Sequence, residues 1–213
     1  MLVTKLKPEA EIAAFLPRRV MVIYCRGCSE VHFPYKSAQK TVSELRARGI
    51  EVVGELTTDY LCNPDFVRQR LEAHKDALEQ SEAALVFSCG VGVQETADQA
   101  GKPVYTGCDT IRIGGYQGLK PRRLDCLRCG ECVLTFTGGI CPVANCAKSL
   151  VNGPCGGASK GKCEIDPEKD CAWMLIYRRL RDQGRLELMS RFIGRDYSKL
   201  TAVAQKEKSG KSK

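Results

Sequence analysis

The residues with chemistry to do are thirteen cysteines in a chain of 213 residues. The densest set is Cys126-x2-Cys129-x2-Cys132, followed by Cys141-Pro142. A C-x2-C-x2-C run wraps one turn of backbone so that three thiolates converge on a single [4Fe–4S] cubane. Cluster-binding runs of this kind carry a Cys-Pro pair three residues further on. Here the gap is eight residues, which leaves the fourth ligand open. A zinc knuckle using two or three of these thiols is the alternative. Downstream lie Cys146, Cys155, Cys163 and Cys171, among Gly138-Gly139, Gly153, Gly156-Gly157 and Gly161. Glycine allows backbone amides to approach and stabilise the negative charge of a cluster. Eight cysteines from Cys126 to Cys171 suffice for two four-thiolate sites, and spacing does not divide them.

Five further cysteines are scattered: Cys25, Cys28, Cys62, Cys89 and Cys108. Each falls at or just beyond the C-terminal end of an expected strand. In a parallel sheet those ends share one edge. Four of the five could hold a further cluster there, leaving one spare. Two other readings stay open. Cys25-Arg26-Gly27-Cys28 has the spacing of a thioredoxin-like dithiol, and buried cysteines also serve as small core residues.

The elements that must position these thiols are legible in outline. The runs 19–24, 50–53 and 83–87 and a start at 104–105 read as strands, with helices over 36–48, 65–80 and 93–100 between them. Gly49 and Gly101 stop two of the helices. Phe66, Leu71 and Leu78 are expected to be buried. Alternation of this kind implies a parallel, Rossmann-like α/β domain, placed at residues 1–118. A cysteine-rich, loop-dominated iron–sulfur module with a terminal helix is expected over 119–198, and a basic disordered tail over 199–213. That module has little apolar periodicity, so metal must supply much of its folding free energy. The helix is expected over 171–191, with Trp173, Ile176, Tyr177 and Leu180 on its packed face and Gly184 interrupting it.

Bulk properties narrow the function. No run of about 18 apolar residues exists, so no membrane span is expected, and the N-terminus has no signal-peptide pattern. A cytoplasmic location follows as an expectation, and there thiols hold metal more often than disulfides. The net charge is +8, of which residues 126–213 contribute +7 from 16 basic and 9 acidic side chains. An anionic cluster accounts for this balance better than nucleic acid, which is not expected as a partner. Cys89-Gly90-Val91-Gly92 lacks the third glycine of a dinucleotide fingerprint. Asp109, Asp125 and Asp170 flank cysteines and read as turn residues or caps. No substrate motif stands beside the thiols, so no catalytic residue is assigned.

The run from Cys126 to Cys132, with Thr137-Gly-Gly-Ile-Cys-Pro, Cys146-Ala-Lys, Asn152-Gly-Pro-Cys-Gly-Gly, Gly161-Lys-Cys-Glu and Asp170-Cys-Ala-Trp, resembles the methylenetetrahydrofolate reductase C-terminal domain family. Cys25-x2-Cys28, Leu61-Cys62-Asn63, Ser88 to Gln94 and Gly107-Cys108-Asp109-Thr110 extend the likeness over roughly residues 20–180. Within that family the pattern resembles the small iron–sulfur subunit of a two-subunit bacterial reductase. Tyr24 stands where the family pattern has glycine. The resemblance implies an electron-carrying subunit, not itself catalytic, that partners a flavin-containing TIM-barrel subunit in one-carbon metabolism. Further electron-transfer subunits are possible partners. Two [4Fe–4S] clusters are expected, or three metal sites in all, with zinc an alternative at one. A structural zinc subunit of the same complex and a Cys25–Cys28 oxidoreductase are the rival functions.

Overall fold

A computed structural model describes residues 2–27, 31–112 and 124–196. Seven strands and seven α-helices are found among them. In chain order they are β1 (Leu2–Leu6), α1 (Glu9–Ala13), β2 (Arg19–Gly27), β3 (Val31–His32), α2 (Tyr35–Ala47), β4 (Glu51–Asp59), α3 (Pro64–Glu72), α4 (Lys75–Gln80), β5 (Ala83–Phe87), α5 (Gly90–Gln99), β6 (Val104–Thr106), β7 (Cys108–Arg112), α6 (Pro142–Asn145) and α7 (Ala172–Asp182). Single 3₁₀ turns occupy Leu134–Phe136 and Leu186–Ser190.

The main sheet has the order β4-β2-β5-β6 and is parallel throughout. Its central strands are apolar runs because helices cover both faces, and every residue of β5 is buried. Side chains alternate between the two faces. Met21, Ile23 and Cys25 enter one apolar cluster with Leu61, Val67, Leu71 and Val93. Val20, Val22 and Tyr24 enter the other, with Val42, Leu45 and Phe87. The expected α/β architecture is therefore present.

Several details differ from the sequence reading. A second sheet, β3-β1-β7, was not foreseen, and β1 runs antiparallel to β7. The helix expected over 65–80 is broken at Ala73 and His74. The break lays α4 on β4, where a Cβ at Gly54 would come within 2.6 Å of the Ala77 Cβ. Phe66 is 45% exposed while its neighbour Val67 is buried. The final helix ends at Asp182, because Gly184 adopts a φ of +65° and the Arg185 N–H bonds back to the Leu180 carbonyl at 2.8 Å. Trp173, Ile176 and Leu180 pack as expected, but Tyr177 is 40% exposed.

Candidate metal centres

Local structure first fixes where the cysteine-bearing loops leave the sheet. Cys62 sits in a turn closed by the Asn63 N–H on the Tyr60 carbonyl at 2.8 Å. Asn63 then caps α3, its side-chain oxygen accepting from the Asp65 and Phe66 amides at 3.0 and 3.4 Å. Cys89 is the N-cap of α5. The next residue, Gly90, donates its N–H to the Thr110 hydroxyl at 2.9 Å. A Cβ at Gly90 would lie 2.9 Å from the Cys126 Sγ. This glycine therefore serves the close approach of a second thiol loop.

Cys126, Cys129, Cys132 and Cys141 line one cleft, together with Gly90, Gln94 and Thr110. Cys141 is thus the fourth thiol that lines this cleft. Asp109 accepts the Cys132 N–H at 2.8 Å, and Lys7 pairs with Asp109 at 3.0 Å. Burial would weaken the charge of Lys7, but Asp109 and Glu11 outweigh it and raise its pKa. Burial, then repulsion from Cys89 and Cys141, pushes the Cys126 thiol up to about 12. Burial, then Cys126 and Cys141, raises Cys132 likewise. Burial, then Cys129, raises Cys141. Against this, the amides of Arg128, Leu134, Val143 and Ala144 and the Thr110 hydroxyl act on these sulfurs in favour of the thiolate. A half-buried set of thiols that face backbone amides, and whose thiolates would repel one another, suits the cationic core of a metal cluster, which would remove that repulsion. The donor set fits iron–sulfur ligation.

Cys146, Cys155, Cys163 and Cys171 line a second cleft with Asn145, Glu164 and Trp173. Its loops are held by bridges from Ser159 to Lys162 and from Lys162 to Asp170. The Cys171 N–H bonds the Gly161 carbonyl at 2.8 Å, and the Cys163 N–H bonds the Lys169 carbonyl at 2.9 Å. The Cys155 thiol donates to Glu164 at 3.2 Å, and Lys148 pairs with the same carboxylate. Trp173 anchors the cleft by donating its indole N–H to the Leu150 carbonyl at 2.9 Å. The two clefts are neighbours, since Cys141 precedes and Cys146 follows the four-residue α6, a rise of about 6 Å.

The scattered cysteines divide. Cys25 lies inside β2, and burial, then Cys89, pushes its thiol up to about 11. Cys62 packs with Cys89 in an apolar cluster that also contains Cys126. Cys108 opens β7 and is buried in the apolar cluster on the opposite face from Cys25. Cys28 lies outside the described residues. No group of three or more cysteine, histidine, aspartate or glutamate side chains among the described residues is disposed to hold a single metal ion.

Not all glycines act as the sequence reading expects. Gly138 and Gly139 have positive φ and abut Arg179 and Ala97, so they serve packing between α5 and α7. The sequence reading quotes Gln94 and Thr110 within its motifs without giving them a role, and it gives none to Lys7 or Asn145. A further signal was that Gln94 is an amide within the buried stretch of α5 from Gly90 to Ala97.

Residues 105–198 match the model of the family described as methylene-tetrahydrofolate reductase C terminal. That segment is similar to this family. The matching segment runs from β6 to the end of the described chain and contains the eight thiols of both clefts, while Gly90 and Gln94 of the inner cleft lie before it. The motifs around Cys25, Cys62 and Cys89 lie outside it. No curated protein and no solved structure matches the chain. No helix among the described residues is long and apolar enough to cross a membrane.

Proposed function

We propose that this chain is an iron–sulfur electron carrier serving a flavin-containing methylenetetrahydrofolate reductase. The observation that carries the reading is the sorting of eight cysteines into two clefts of four thiols each. Cys126, Cys129, Cys132 and Cys141 would hold one [4Fe–4S] cluster, and Cys146, Cys155, Cys163 and Cys171 the second metal group. Such clusters supply one-electron transfer at potentials set by charge and hydrogen bonding. A cubane is larger than one ion, so its ligands need not converge at the spacing of a mononuclear site. Cys25, Cys62 and Cys89 favour a third centre beside the first, with Cys108 the spare thiol.

The chain's own groups serve this role without bond-making chemistry. Backbone amides face the inner thiols and favour their charged form. Asp109 fixes the Cys132 amide, and Lys7 fixes Asp109. The family match supports a place beside methylenetetrahydrofolate reduction. The flavoprotein partner, a TIM barrel, follows from the resemblance of the motifs. Against a Cys25–Cys28 dithiol stands the burial of Cys25 within a strand, which leaves little reactive thiolate near neutral pH.

A second reading concerns the outer cleft alone. Its bridged loops and its four thiols are also the parts of a structural zinc site, which would require those thiols to draw in from the positions they hold here onto one ion. Anaerobic purification followed by iron, acid-labile sulfide and zinc analysis tests both. Iron and sulfide in equal amounts, at four or more per chain, is the expected result. Zinc with no sulfide would sink the electron-carrier reading. Four irons with one zinc would assign zinc to the outer set.

A further inference from the structure

We propose that Gln94 is the positioning residue that holds the inner thiol set together and ties it to the parallel sheet. The proposal rests on the reading that this set carries a cluster. Gln94 sits on α5 and is 2% exposed. Its Nε2 donates to the Gly90 carbonyl at 3.0 Å and to the Asp125 carbonyl at 2.8 Å. Its Oε1 accepts from the Cys141 N–H and the Asn145 Nδ2, both at 3.3 Å. Two donors and two acceptor positions are thereby all used. Asp125 precedes Cys126, Cys141 is the fourth thiol, and Asn145 precedes Cys146 of the outer cleft. One side chain therefore joins both ends of the inner set to each other and to the start of the outer set.

The chemistry requires an amide at this place. A buried amide costs free energy unless its groups are paired, and an apolar residue would suit a buried helix equally well for packing. Carbonyls approach one end of the side chain and N–H groups the other, so a flipped amide would set like against like. Glutamate would keep the acceptor but turn a carboxylate oxygen toward two carbonyls. Methionine would keep the volume and lose all four bonds.

The test compares Gln94→Met and Gln94→Glu with Thr96→Val. Thr96 is a buried neighbour whose hydroxyl bonds only within α5, to the Gly92 carbonyl at 2.7 Å. Iron release to a chelator, anaerobic redox titration followed by electron paramagnetic resonance, and amide exchange at Cys141 are measured on the full chain. Both Gln94 variants should release iron about 10-fold faster or more, as loss of a supporting partner does at metal sites. Gln94→Glu should shift the signal and potential of one cluster and leave the rest unmoved. Exchange at the Cys141 amide should accelerate in Gln94→Met, which offers that N–H no acceptor, and not in Gln94→Glu, which keeps one. Thr96→Val should change thermal stability alone. If the Gln94 variants do not fold, Asn145→Ala, which removes one of the four bonds together with its own bond to the Cys141 carbonyl at 2.9 Å, should accelerate iron release in the same direction. Asn145→Asp loses the donor but keeps the volume, and a smaller acceleration there would mean that those bonds are immaterial. Wild-type iron retention and spectra in the Gln94 variants, or equal effects from Thr96→Val, would overturn the proposal. Should the wild type itself lack iron and sulfide, the cluster reading fails separately. The positioning role then stands or falls on the Cys141 exchange rate.

Discussion

Single residues around the inner cleft are chosen for approach as much as for ligation. Gly90 is the clearest case. Its N–H is held by Thr110, and the space a Cβ would need is occupied by the Cys126 sulfur and, at 3.5 Å, its Cβ. Gly92 has the same character, since a Cβ there would press on Ser88 and Leu61. The pair resembles half of a phosphate-binding fingerprint in the sequence, yet its glycines admit protein side chains. Gly90→Ala should therefore displace Cys126 and destabilise the fold by about 1–3 kcal/mol through overpacking. Denaturant unfolding measures the second effect, and iron per chain the first. Retention of full iron content at wild-type stability would show that the Cys126 loop yields freely.

Among the elements, α7 shows how the cysteine-rich half is fastened to the sheet. Arg179 donates from Nη1 to the Ala97 carbonyl at 3.0 Å and the Gly138 carbonyl at 3.2 Å, and from Nη2 to Asp98 at 3.0 Å. Arg185 lies over the Tyr105 ring at 4.8 Å and donates to the Thr135 carbonyl. Arg191 lies over the rings of Phe15 and Phe136, at 4.6 and 4.5 Å. Lysine keeps the charge of Arg179 but not the planar fork that reaches three acceptors. Arg179→Lys should cost about 1–3 kcal/mol, the ion pair with Asp98 adding little because it is partly exposed. The signature should be a loss of stability with the helix content unchanged. Equal stability of the two forms would assign the fastening to the aromatic contacts instead.

At the scale of the whole molecule the two halves draw on different sources of stability. The parallel sheet has a broad apolar cluster on each face. The outer cysteine loops have only Cys171, Trp173, Ile176 and Leu180 as a buried cluster. Removal of metal should therefore loosen the region around Trp173 first and leave the sheet folded. Trp173 is the only tryptophan of the chain and lines the outer cleft, so its fluorescence reports this directly. Chelation should shift the emission to the red while the strand signal in circular dichroism persists. An unshifted emission after complete metal loss would mean that the outer loops hold without metal.

Much of this was written in the chain itself. Thirteen thiols at these spacings, with two histidines, set the expectation of thiol-bound metal. The apolar runs of β2 and β5 fixed the parallel sheet, because a strand covered on both faces needs apolar side chains at every position. Gly49 and Gly184 marked helix ends through the positive φ that only glycine adopts without strain. Tertiary structure decided the rest. The partition of eight thiols into Cys126, Cys129, Cys132 and Cys141 against Cys146, Cys155, Cys163 and Cys171 depends on how loops fold back on α5 and α7. Spacing along the chain carries no such information, because flexible segments of equal length can return to different places. The face taken by Cys108 likewise depends on β7 pairing with β1, a contact between residues about a hundred positions apart. Local pattern thus marked out the thiols, and long-range packing decided which of them meet.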